Sequence, residues 1–131
     1  MSIQRSFLLC FAELPEGPVA FDAGRVGEFG VAGDVPGEDE LDVVALLGHR
    51  PVGPGVARRT AIVQDDTERC VLVLGRELRL LSVELSSFHR LPPLLAGVRT
   101  STGITGLVRR GDVLALFVDV DRLIDIAKRR V

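Results

Sequence analysis

An all-β fold closed by one terminal helix is predicted by three features of this 131-residue sequence. Apolar runs of strand length recur along it, clusters of Gly, Pro and Asp divide them, and only the last dozen residues carry helical spacing. The clearest stretch runs from Gly103 to Ile124, GITGLVRRGDVLALFVDVDRLI. It reads as a short strand, a reversal at Arg110-Gly111-Asp112, a longer strand and a helix start. Gly111 takes positive φ without steric cost and Asp112 tolerates turn geometry. Val113 to Val118 is six apolar residues in a row, which suits a strand buried on both faces.

From the N-terminus, Ser6 to Ala12 is the first strand, and Leu14-Pro15-Glu16-Gly17-Pro18 turns the chain into a second at Val19 to Phe21. Arg25 to Phe29 and Leu41 to Leu46 read as the next two strands. A Gly/Pro-rich middle, Pro51 to Ala57, is the internal linker. Arg59 to Gln64 and Arg69 to Leu74 flank Asp65-Asp66-Thr67-Glu68 at hairpin spacing, and Glu77 to Val83 follows. Leu91-Pro92-Pro93-Leu94-Leu95 resists regular structure, because two prolines remove two donors and fix extended geometry. Ile104 to Val108 and Val113 to Val118 complete nine strands. Asp119 or Asp121 can cap the final helix, whose apolar stripe is Leu123, Ile124 and Ala127 and whose cationic end is Lys128 to Arg130.

Composition narrows the function. Hydrophobic residues form 47% and charged residues 26%, which is enough for one globular core without metal or disulfides. There is no Trp or Tyr to stack on bases and the net charge is −2, so direct nucleic-acid binding is not expected. The apolar run at Phe7 to Ala12 is too short for a signal peptide, and a cytoplasmic protein without membrane insertion is expected. Cys10 and Cys70 both sit in strand-like runs and read as small buried hydrophobes.

Chemistry-bearing patterns are weak throughout. Gly24-Arg25-Val26-Gly27-Glu28-Phe29-Gly30 lacks the spacing and the following helix of a phosphate loop. His89 near Ser86 and Ser87 has no nucleophile elbow, and a surface loop explains it. Glu38, Asp39, Glu40 and Asp42 lack calcium-loop spacing and read as a solvated turn. No catalytic set, metal or cofactor is expected, which leaves a binding module.

Taken together, the strands resemble the CheW-like domain of bacterial chemosensory coupling proteins. Ser6 to Ala12 is similar to the family's opening strand, and Val19 to Phe29 to its second hairpin. Leu41 to Gly48 stands where the family has a "VPVIDLRxLLG" strand. Arg69 to Val83 and Gly103 to Ile124 resemble its last hairpins. The resemblance implies one domain, residues 1–131, of two intertwined five-stranded SH3-like barrels: subdomain 1 near 13–57 and subdomain 2 near 58–118. Strand 6–12 and helix 119–130 would pack across both.

The departures carry their own implication. Only Gly30 to Glu40 separates the third and fourth strands, no Asn-Leu-Arg-Gly hairpin occurs, and Ala45 replaces the "VIDL" aspartate. The first barrel is thus expected to be abbreviated, as in the FrzB-type members of myxobacterial gliding-motility pathways. In the family a chemoreceptor tip helix lies in a groove between the barrels, and a CheA-type kinase docks mainly on the first. The resemblance therefore assigns Val26, Glu28 and Phe29 to a receptor groove, with Gly30, Val31, Asp34, Pro36 and Glu40 forming an altered kinase side. The implied partners are a methyl-accepting chemoreceptor and another CheW-like protein, with kinase binding weak or lost. An ordinary coupling protein is the first alternative. The second is a small β-barrel ligand carrier or enzyme with a pocket around His89 or Arg99.

Overall fold

The computed structural model describes residues 5–32, 40–53, 55–95, 97 and 101–129. Its strands are β1 (Ser6–Leu14), β2 (Gly17–Asp22), β3 (Val26–Val31), β4 (Glu40–Asp42), β5 (Arg59–Gln64), β6 (Arg69–Val73), β7 (Glu77–Glu84), β8 (Phe88–Arg90), β9 (Ile104–Arg110) and β10 (Val113–Val118). A short helix α1 (Val43–Leu46) follows β4, and α2 (Val120–Arg129) ends the described chain. The fold is all-β and CheW-like, two β-subdomains with one C-terminal helix. By hydrogen bonding the strands divide into a six-stranded sheet, β7-β1-β2-β10-β9-β8, and a four-stranded sheet, β3-β5-β6-β4.

Turn chemistry sets the hairpins. Leu14 pairs with Gly17 across Pro15-Glu16, and Arg110 pairs with Val113 across Gly111-Asp112. Gly111 has φ +62°, where a first central glycine suits the strand twist. Asp65 organises the β5–β6 loop by accepting from the backbone N–H groups of Thr67 at 2.9 Å and Glu68 at 2.7 Å. Those two donors hold its carboxyl below the usual carboxylate range.

Alternation along β1 joins the two halves. Cys10, Ala12 and Leu14 enter the larger apolar cluster, with Phe21, Leu72 and Leu123, between the sheets and α2. Leu9 and Phe11 point the other way into a second cluster with Val83 and Val108. β2 divides likewise, Val19 and Phe21 against Ala20. A strand serving two cores must be apolar on both faces, which is why Phe7 to Ala12 reads as an unbroken run. Both cysteines are buried, and desolvation pushes the Cys10 thiol up to about 12, so it stays protonated.

Several expectations are corrected. Leu41 to Leu46 is not one strand: the chain leaves β4 at Asp42, whose Oδ1 accepts from the Ala45 N–H at 3.3 Å and caps α1. Local capping there overrides a β-like apolar run. Asp42 is consequently no solvated turn residue, and Glu40 lies on β4; Glu38 and Asp39 fall outside the described residues. His89 is on a strand, β8, opposite Leu107, and not in a loop. Leu94 and Leu95 lie in a 3-10 turn, Pro93–Leu95. Val113 to Val118 is covered on both faces only toward its end, since Val113 and Leu114 are more than half exposed near the hairpin tip. Asp119 is the cap of α2, its Oδ1 accepting from Asp121 N–H at 2.9 Å. Asp121 is thereby left for Arg25.

Two charged clamps hold the periphery. Arg25 reaches Asp121 at 2.5 Å and also donates to the Gln64 carbonyl, tying the β2–β3 turn to β5 and α2. Arg58 grips Asp42 with two hydrogen bonds, 2.6 and 2.9 Å, while its Nε donates to the Leu74 carbonyl. The hydrogen bonds from Arg58 hold the Asp42 carboxyl below its ordinary value of 3.8, with the α1 cap adding to the effect. A depressed folded value means stability that is complete above the ordinary pKa and lost as pH falls through the folded one. Asp42→Asn should therefore cost up to about 1 kcal/mol near neutrality through the lost pair, which is partly screened because the Asp42 side chain is 41% exposed. It should also flatten the fall in stability below about pH 4, as measured by urea unfolding across a pH series.

Candidate functional site

The site follows from strand parity. Phe29 pairs with Ala61 and Val31 with Arg59, so Phe29 and Val31 share the inner, core-facing side of the four-stranded sheet with buried Ala61. In the other sheet Cys10 pairs with Leu80 and Ala12 with Leu78, which puts both leucines, and Leu8 two residues from Cys10, on the inner side of that sheet. Inner-face residues of packed sheets are ordinarily covered. Here Phe29 is 42% exposed, Val31 46%, Leu8 51% and Leu80 51%. The two sheets diverge at this end, and the core opens to solvent.

The opening is a groove of about 540 Å³ lined by Phe29, Gly30, Arg59, Arg76, Leu78 and Leu80, with Glu77 and Arg79 beside them. Among the described residues β3 pairs only with β5, and β7 only with β1, so both walls are edge strands. Phe29 on one wall and Leu78 and Leu80 on the other supply its apolar side chains. Arg59 and Arg76 mark one end, where the Gly75 carbonyl accepts from the Arg59 N–H at 2.8 Å.

The residues singled out from sequence separate here. Phe29 and Gly30 line the groove, and Val31 continues the same strand. Val26 packs partly against the main core and borders a different, polar depression of about 430 Å³ with Arg25, Asp65 and Asp121. Glu28 is exposed on β3. Glu40 begins β4, on the far edge of the four-stranded sheet from β3. Asp34, Pro36 and Arg99 lie outside the described residues. His89 is exposed on β8, the edge strand farthest from β7 in its sheet.

Leu8, Leu78, Leu80, Arg59 and Arg76 are not distinguished by the sequence reading. Their signal was present but ambiguous. In Glu77-Leu78-Arg79-Leu80-Leu81-Ser82-Val83 the apolar parity switches from Leu78 and Leu80 to Leu81 and Val83, and only the pairing with β1 shows which parity meets open space.

A third concavity, about 320 Å³, lies where Phe11, Leu81 and Val113 meet Arg79 and Arg110. Its charged rim is balanced, with Glu13 and Glu77 against the two arginines. Among the described residues, none of the three concavities brings together a nucleophile, a base and an orienting group.

No family model and no curated protein matches the chain. Among solved structures, the scaffolding protein TtCheW from Thermoanaerobacter tengcongensis shares its fold, with a TM-score of 0.71 and 15% sequence identity over 91% of this chain and 92% of that one. At that identity the likeness is one of fold. Among the described residues, no helix is long and apolar enough to cross a membrane.

Proposed function

We propose that this chain is a non-enzymatic adaptor of a bacterial chemosensory array, seating the tip helix of a chemoreceptor in the groove between β3 and β7. The observation that carries the reading is the opening of the two inner faces, where Phe29, Val31, Leu8 and Leu80 are each about half exposed on sides that otherwise form core. An amphipathic helix laid in such a groove presents anchors at helical spacing to residues on both walls. The fold shared with a scaffolding protein supports the same class.

Magnitudes favour an array component over an isolated receptor. Covering four half-exposed apolar side chains yields roughly 1 kcal/mol each, a modest return against the cost of association. One groove contact is thus weak, and several receptors held together supply the avidity.

In this reading the adaptor works in cytoplasmic receptor clusters and links receptors to one another and to CheW-like neighbours. Kinase docking is weak or lost, because residues 32–39 alone connect β3 to β4 where coupling proteins carry a further hairpin. This is the FrzB-type arrangement, with subdomain 1 near 13–57 shortened and subdomain 2 near 58–118 complete. The test is to mix the protein with a receptor cytoplasmic fragment and, separately, with a CheA-type regulatory domain, and to follow sedimentation velocity. A complex with the receptor fragment alone is expected. A micromolar or tighter kinase complex would identify an ordinary coupling protein instead.

A further inference from the structure

We infer that the groove differs between its two ends, cationic at Arg59 and Arg76 and apolar beyond, and selects a helix whose apolar stripe ends in carboxylates seated at those two arginines. The inference rests on the groove being a helix site and adds the chemistry and direction of the occupant. The chain as a whole carries a net charge of −2. The groove inverts that sign, with Arg59, Arg76 and Arg79 against the single carboxylate Glu77.

Glu77 is already engaged, since Arg79 approaches it at 4.0 Å. Among the described residues Arg59 and Arg76 make no ion pair, whereas Arg25, Arg50 and Arg58 each have a carboxylate partner. Both lie at one end. Arg59 opens β5 opposite Val31, and Arg76 follows Gly75, whose carbonyl holds the Arg59 N–H.

Of the other members of the groove, Arg79 is paired with Glu77, and Phe29, Leu78 and Leu80, with Leu8 beyond, are apolar. A helix reversed in the groove would leave its carboxylates over apolar walls and the two guanidiniums unanswered. Electrostatic complementarity of this kind sets orientation and partner choice more than raw affinity.

The test uses the full chain and two labelled synthetic amphipathic helices with the same apolar stripe, one ending in two glutamates and one ending in two lysines. Fluorescence anisotropy is measured at low and high salt. The acidic peptide should bind about tenfold more tightly at low salt, with the preference shrinking as salt rises. Arg59→Glu/Arg76→Glu should reverse the preference toward the lysine peptide, a gain that misfolding cannot produce.

If Leu80→Asp abolishes binding of both peptides but charge reversal leaves their ratio unchanged, the groove remains a helix site and the selectivity assigned to it is wrong. Failure of both peptides to bind overturns the helix site and the selectivity together. A preference that survives Leu80→Asp places the acidic contact elsewhere and overturns the inference as well.

Discussion

Gly75→Ala is expected to unfold the protein or cost more than about 4 kcal/mol, a large part of the 5–15 kcal/mol typical of a domain. A Cβ built on Gly75 falls 1.9 Å from the Glu13 carbonyl oxygen and 3.0 Å from its carbon. The obstacle is backbone, and it cannot move aside: Glu13 lies on β1 between Pro18 of β2 and Glu77 of β7. Gly75 is also pinned, its carbonyl accepting from Arg59 N–H where the chain crosses from the four-stranded sheet to the six-stranded one.

The cost is one of contact and not of dihedral angle, since Gly75 is not among the positive-φ glycines. Gly111→Ala supplies the contrast. It has φ +62° but nothing within 4 Å of the added Cβ, so only the left-handed penalty of about 1–2 kcal/mol applies. Urea unfolding of the two variants should rank them in that order. A Gly75→Ala protein within 1 kcal/mol of the parent would falsify the crossing geometry.

The second large effect is on binding. Leu80→Asp should leave the unfolding midpoint nearly unchanged and weaken the complex with a receptor cytoplasmic fragment by about a hundredfold, roughly 1 kcal/mol from the lost burial and the rest from covering a carboxylate among apolar side chains. The two halves of that expectation have one origin. Leu80 is on an inner face but 51% exposed, so folding gains little from it and a bound helix would gain the rest. Leu72, on β6 and fully buried in the same core, marks the opposite case. There the equivalent substitution should unfold the chain, and a variant that folds normally would contradict the packing. Calorimetric melting beside the binding titration distinguishes a surface lost from a fold lost.

How much could be read in advance depended on the range of the forces concerned. Arg59–Gln64 and Val113–Val118 were marked to the residue, because a four-residue Asp-led loop and a Gly-Asp reversal fix their ends within a few positions. The helix α2 was marked for the same reason, by a cap at Asp119 or Asp121 and a 3/4 stripe, the structure choosing Asp119. β8 was missed because it has only three residues and its partner β9 lies beyond the Pro-Pro segment at residues 91–103, far outside hairpin spacing. Leu41–Leu46 was misread because an apolar run has the same appearance as strand or buried helix, and the deciding bond is from Ala45 N–H to one carboxylate oxygen.

The candidate site was only partly visible. The resemblance assigned Phe29 to a groove but Gly30, which lines the same concavity, to the kinase side, and the leucines and arginines opposite them had no local mark.

The sequence by itself determined most of the strands, the hairpin turns and the capped terminal helix. These follow from turn dihedrals, side-chain period and hydrogen-bond capping, which act between near neighbours. Tertiary structure alone decided that Arg58 would answer Asp42 sixteen residues away, and that Gly75 would lie against Glu13. It alone left Leu8, Leu80, Phe29 and Val31 uncovered. Whether an inner-face side chain meets core or solvent depends on the divergence of two sheets, and that divergence is set by all the long-range pairings together.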